Sequence, residues 1–297
     1  MELLVVIVII VLLAALLIPA VAMAREAARR NQCLTNQRSL ATAIITYSNA
    51  NGGLPGYLNQ QGDIRRVPSH SWAVAIFPNI GENRRYEVLM STPQGTAVDL
   101  RVTAPLPALI CPSDNPREDA RLNYVVNCGP AETPGINGNN ALHFTLFRDR
   151  RPDPDEPRFL TAVNTRVKIE DIPNGASNTI LLSENVNAGI WHHANWNTFA
   201  PRNELPHNFT PPPQLPPPGR NTRSSVAVEN LGFVWARLPA FLPNSSANEP
   251  RPSSKHPGTV IVAFADGSAR AINDDISIDE WLQIVCPDYE GWRELFP

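Results

Sequence analysis

The sequence carries no charge between Glu2 and Arg25, and it lacks the short motifs that mark most nucleotide-binding and hydrolytic sites. It contains no G-x-S-x-G, Walker A, G-x-G-x-x-G or H-E-x-x-H, so neither a nucleophile elbow, a phosphate-cradling loop nor a zincin helix is available. The chain is therefore expected not to be an enzyme, and no cofactor is expected. A C-x-x-C pair is missing too: Cys33, Cys111, Cys128 and Cys286 are widely spaced, which argues against a zinc knuckle or a thioredoxin-like site. There is no basic excess, since Lys and Arg number 25 against 28 acids for a net charge of −3; no global field favours nucleic acid. Glycine is scarce beside proline, 16 against 30. That ratio implies many extended or turn connections and few long helices after the first. No internal repeat is visible, and the body reads as loop-rich α+β or mostly β.

What is present begins at the N terminus. Leu3 to Ala24 is an uncharged run of 22 residues, about 33 Å as a helix against a hydrocarbon core of about 30 Å. Pro19 lies inside it and is tolerable as a membrane-helix kink. One reading is a cleaved secretory signal, with Ala22-Met23-Ala24 as the A-x-A site. The run is longer than such signals usually are, and no basic segment precedes it. A second reading is a plain anchor, but Arg25, Arg29 and Arg30 follow directly, and the positive-inside rule would then place the body in the cytoplasm. Neither explains Glu2.

Beyond the span the helix is predicted to continue. Glu26 pairs with Arg29 and Arg30 at i+3 and i+4, and Cys33, Leu34, Leu40, Ala41, Ile44, Ile45 and Tyr47 form one apolar stripe at helical spacing. The stop signal is "NANGGLPG", with Gly52, Gly53 and Pro55. Residues 3–50 thus read as one helix of roughly 70 Å, apolar all round in its first half and amphipathic in its second. Four cysteines on an anchored chain fit one or two disulfides outside the cytoplasm. They allow three full pairings, with buried free thiols as the other reading.

"ELLVVIVIIVLLAALLIPAVAMAREAARRNQCLTNQRSL" resembles the segment after the cleavage site of type IV pilins and type II secretion pseudopilins. Glu2 matches that family's glutamate. The glycine that ends the leader, the aromatic first residue and the basic leader are absent, so the resemblance implies a true start upstream of Met1. A leader of that kind would also supply the cytoplasmic positive charge. "SWAVAIFPNIGENRRYE" (71–87), "LICPSDN" (109–115), "NYVVNCG" (123–129) and "IEDIPNGASNTILLSEN" (169–185) resemble successive blocks of one large bacterial pilin-like family of unknown function. Its C-terminal H-x9-DG motif corresponds to His256, Asp266 and Gly267, and Asn178-Thr179 belong to its fourth block.

The resemblance implies an α+β, pilin-like fold: a long N-terminal α-helix, then a globular domain built on antiparallel β-sheet. Residues 1–24 would be the membrane helix, 25–52 its amphipathic continuation and 53–297 the extracytoplasmic body. The implied partners are the inner membrane, other pilin-like subunits and a prepilin peptidase, and not nucleic acid. Glu2 would assist methylation of the new N terminus and pair with a neighbouring subunit's N-terminal amine.

The residues of the body can be read on their own. "GTVIVAFADGSARAIN" is a hairpin, with Gly267 supplying positive φ. Asp266 accepts hydrogen bonds from turn amides. His256 lies a strand's length from Asp266, since residues 259–265 extended span roughly 23 Å; the two form no dyad, and His256 reads as a residue at the head of a strand. "NGASNTILLSEN" is a turn feeding a strand, Thr179 to Leu182, ended by Glu184 as a solvated acid. Ser277 and Glu280 form a capping box. "WHHANW" (191–196) offers metal binding, a partner or glycan surface, or loop packing; His192 and His193 point apart on a strand and lack a third ligand. "PHNFTPPPQLPPPGR" (206–220) is a polyproline stretch.

The expected function is that of a structural subunit, anchored by its N-terminal helix and assembling into a filament or pseudopilus. The alternatives are a membrane-tethered binding module or enzyme that uses the helix only for export, and a secreted enzyme cut after Ala24.

Overall fold

The computed structural model describes residues 2–59, 70–92, 102, 104–114, 121–130, 144–150, 166–189, 191, 232–235, 242–244 and 251–295. Helix α1 runs unbroken from Glu2 to Asn51 through Pro19. It ends where the glycines predicted: Gly52 has φ +70° and Gly53 φ +142°. A side chain at Gly53 would also place Cβ 2.4 Å from Arg166 Cβ, so that exit admits glycine alone. From Leu3 to Met23 the large apolar side chains of α1 are exposed. From Cys33 onward the expected stripe is covered: Cys33, Leu40, Ala41, Ile44 and Tyr47 are buried, while Leu34 and Ile45 are half-buried.

After α1 the chain forms β1 (Leu58–Asn59), β2 (His70–Ser71), α2 (Trp72–Ala75) and α3 (Asn83–Ser91). Ser71 caps α2 by accepting from the Val74 amide at 3.3 Å, as N-cap serines do. Next come β3 (Tyr124–Pro130), β4 (Asp149–Arg150), β5 (Ile180–Glu184), β6 (Gly232–Trp235), β7 (Thr259–Phe264) and β8 (Ala269–Asn273). The chain closes with α4 (Ile278–Val285) and α5 (Tyr289–Leu295). A small sheet has the order β2-β1-β4 and a five-stranded sheet the order β6-β3-β5-β7-β8. In the larger sheet every pairing is antiparallel except β3 with β6.

Val260 to Phe264 are all buried, which means that both faces of β7 are covered. Helix α1 packs against β5, β7 and β8. Gln37 reaches in to donate to the Ile261 carbonyl at 2.7 Å, and Arg38 donates to that of Ala269 at 3.2 Å. Helix α4 buries Trp281, Leu282 and Val285 and carries the expected Ser277–Glu280 capping box. Asn127 ties it to the sheet, donating to the carbonyls of Ile180 at 3.0 Å and Val285 at 2.8 Å.

The β7–β8 hairpin forms as the sequence predicted. Asp266 accepts from the Ser268 amide at 2.8 Å, and Gly267 has φ +88° with its Cα side facing Ile45 of α1. Trp191 is wholly buried and packs edge-to-face on Phe77 with centroids 5.0 Å apart. It takes the loop-packing role among those open to it, not a surface one. His192, His193 and Trp196 lie outside the described residues, as does the 206–220 proline stretch.

Candidate functional site

The residues singled out along the β5–β7 pair separate to its two ends. At one end are the polar turns. Asn178 donates to the Asn174 carbonyl at 3.3 Å, and the Thr179 hydroxyl to that of Gly175 at 3.0 Å. The Thr179 carbonyl accepts from the Ala265 amide at 2.9 Å, and that of Ala176 from Asp266 at 3.1 Å. Asn178, Thr179, Asp266 and Gly267 thus lock two turns together. Asn174 extends the lock to the end of α4, donating to the Gln283 carbonyl at 2.6 Å. These are structural contacts that join the turns to each other and to α4.

The opposite end holds the chemistry. Glu26 and Cys33, two helical turns apart and so on one face of α1, meet Cys111 from the loop after residue 109, Glu184 from the end of β5 and His256 from the segment before β7. His256 and Glu184 are both about 1 % exposed. The expectation of a solvated acid at Glu184 is therefore wrong: the strand ends inside the protein, roofed by α1 and by residues 251–256. His256 does stand just before β7 as expected, but its ring is buried between charged partners.

Nδ1 of His256 lies 2.5 Å from Oε1 of Glu26, while Nε2 lies 3.4 Å from both Glu184 Oε1 and Cys111 Sγ. Oε2 of Glu184 accepts from the Ile261 amide at 2.9 Å, but Oε1 is buried without a hydrogen bond. Cys33 Sγ and Cys111 Sγ are 2.8 Å apart. A disulfide would bring them to about 2.05 Å, and all four cysteines are free thiols in this structure. Cys128 and Cys286 are buried as well.

A surrounding shell fixes these groups. Ser113 donates to Glu26 Oε2 at 3.2 Å, Arg29 to the same oxygen at 2.9 Å, and Arg30 to the Pro257 carbonyl at 2.8 Å. The Cys111 amide donates to Asn123 Oδ1 at 3.0 Å, and Asn123 in turn donates to Asp114 at 2.6 Å. Asn36 Nδ2 donates to the Tyr124 hydroxyl at 3.3 Å.

The electrostatics follow from burial and contact. Burial alone would depress the His256 imidazole, but its contacts with Cys111, Glu184 and Glu26 outweigh that and raise it to about 10. The ring is thus a cation at neutral pH. Its pairing stabilises the fold fully below the ordinary value of 6.5 and is lost as pH rises through about 10. The contact with Cys33, then burial, raises the Cys111 thiol well above its usual range, and burial likewise raises the Tyr124 phenol.

The donor atoms of Cys33, Cys111, Glu184 and His256 all lie within 4.8 Å of one another. Sequence reading missed this convergence because the four come from separate segments, Cys33 and Cys111 being 78 residues apart and Cys111 and His256 145 apart. The available signal was that Glu26 and Cys33 share a helix face, with a polar residue at the end of each apolar block. A groove of about 1090 Å³ lies elsewhere, beside α4 and α5. Its charged residues Asp279, Glu290, Arg293 and Glu294 are all exposed, so it lacks the desolvation that tunes a reactive site.

A long N-terminal helix that is half bare and half packed on a mainly antiparallel sheet defines an α+β protein of pilin-like fold. The chain belongs to the family described as "Protein of unknown function (DUF1559)", which matches residues 22–279. No curated protein and no solved structure matches it.

Proposed function

We propose that the protein is a pilin-like structural subunit, anchored in a membrane by the first half of α1 and assembled with other copies through that same half. The observation that carries this reading is the bare apolar segment. An 18-residue window of α1 has a mean hydropathy of 3.4 and none of it is buried. A surface of that kind requires lipid or another apolar helix in place of water. On this reading Glu2 sits at the head of the packed helices, where a buried carboxylate costs about 2.5–3.5 kcal/mol at mid-bilayer and less near the interface. A cation on the next subunit would offset that cost, so the acid senses register. The body then lies outside the cytoplasm, and a prepilin peptidase would process the precursor.

The test is shear fractionation of cells that express the chain behind a prepilin leader. The wild type should appear in a sheared high-mass polymer. Glu2→Ala should stay in the membrane fraction with its body still protease-resistant. Equal polymer from both would overturn the role of Glu2. A wild type found only as membrane-bound monomer would overturn assembly and favour a tethered binding module.

A further inference from the structure

We propose that Cys33, Cys111, Glu184 and His256 form a closed binding site for one divalent cation of the zinc class, clasping α1 to the sheet. Two thiolates, an imidazole and a carboxylate are the donors such an ion prefers, and four protein ligands make a structural site with no open position.

Two edges of the tetrad already have the required size. From zinc–ligand bond lengths, tetrahedral geometry puts a nitrogen about 3.4 Å from a carboxylate oxygen and about 3.6 Å from a thiolate sulfur. In the structure Nε2 is 3.4 Å from Glu184 Oε1 and 3.4 Å from Cys111 Sγ. Of these three edges the sulfur–sulfur one must change, opening from 2.8 Å to about 3.8 Å, and the remaining donor pairs lie within 4.8 Å. Rotation of either cysteine about its Cα–Cβ bond provides that opening.

The surroundings are arranged as metal sites require. The Glu26 carboxylate holds Nδ1 of His256, which aims Nε2 at the tetrad; a carboxylate on the distal nitrogen is the usual support of a ligating histidine. Glu184 is anchored by one oxygen, and the other, without a hydrogen bond, faces Nε2. The burial of all four ligands removes water as a competitor.

The site also calls for a cation. Two carboxylates, those of Glu26 and Glu184, converge on the one imidazole. On binding, both thiols and Nε2 release their protons to solvent, three negative ligands face the dication, and Glu26 remains paired with Arg29 and Arg30.

The experiment uses the full chain in detergent micelles, purified anaerobically. Metal analysis should give about one zinc per chain. Cobalt titration after chelation should give the thiolate-to-cobalt charge-transfer band of a four-coordinate ion. Cys111→Ser and Glu184→Gln should each abolish or shift that spectrum, and Cys286→Ser should leave it unchanged. Because a ligand variant can fail to fold, Glu26→Gln serves as the second arm. It keeps all four ligands and should keep the spectrum while weakening affinity by about 10- to 100-fold. The proposal is overturned by metal-free protein that takes up no cobalt, by a Cys33–Cys111 disulfide in the protein as isolated, or by unchanged cobalt binding in Cys111→Ser and Glu184→Gln.

Discussion

The two halves of α1 share one backbone and differ in everything their side chains touch. Leu3, Leu12 and Ile18 stand 60–79 % exposed, whereas Cys33, Leu40, Ala41 and Ile44 are completely covered. The more hydrophobic half is the bare one. Hydropathy therefore does not locate this protein's core; the width of the apolar stripe does. A stripe of limited width can be covered by one sheet, while a helix apolar all round can be covered only by lipid or by several helices. The outer face of the second half shows the same economy. Thr35, Ser39, Thr42 and Thr46 each donate to the carbonyl four residues earlier, at 2.8–3.0 Å, so that face needs no outside partner.

The contrast can be broken or sharpened by substitution. The largest effect on the fold is expected from Leu40→Ala, which should lower body stability by about 2–5 kcal/mol in chemical denaturation, since a wholly buried leucine leaves a cavity. Leu12→Arg should instead cost about 2.5–3.5 kcal/mol of membrane insertion, read as loss from the membrane pellet, with the body's Tm unchanged. Gly267→Ala should cost about 1–2 kcal/mol, because a side chain at positive φ is strained and its Cβ would meet Ile45 Cδ1 at 3.3 Å. The smallest effect belongs to Leu12→Ala, expected within about 0.5 kcal/mol of wild type in body stability. A large loss of body stability there would mean that the bare half folds back on the protein.

Much of this architecture was legible in the residues. The extent of α1, its glycine stop, its stripe, the β7–β8 hairpin and the capping box on α4 all rest on interactions between near neighbours, which local pattern reports. The tetrad was not legible. Glu184 after an apolar run is indistinguishable in sequence from a solvated strand end; only the roof over β5 buries it. His256 reads in sequence as a residue at the head of a strand, whereas its partners Glu26, Cys111 and Glu184 come from three other segments. Gln37, polar and wholly buried, interrupts the stripe for the same reason: its partner is a carbonyl 224 residues away.

The contacts of Glu26 and Arg30 with the body have a mechanical consequence. Ala24 ends the uncharged run and Glu26 already holds His256, so the grip begins within about 3 Å of axial rise. No slack separates the apolar rod from its load. Any tilt or rotation taken by the first half of α1 is handed to the body as by a shaft keyed to its wheel, and a pull on the body reaches the rod first through that collar.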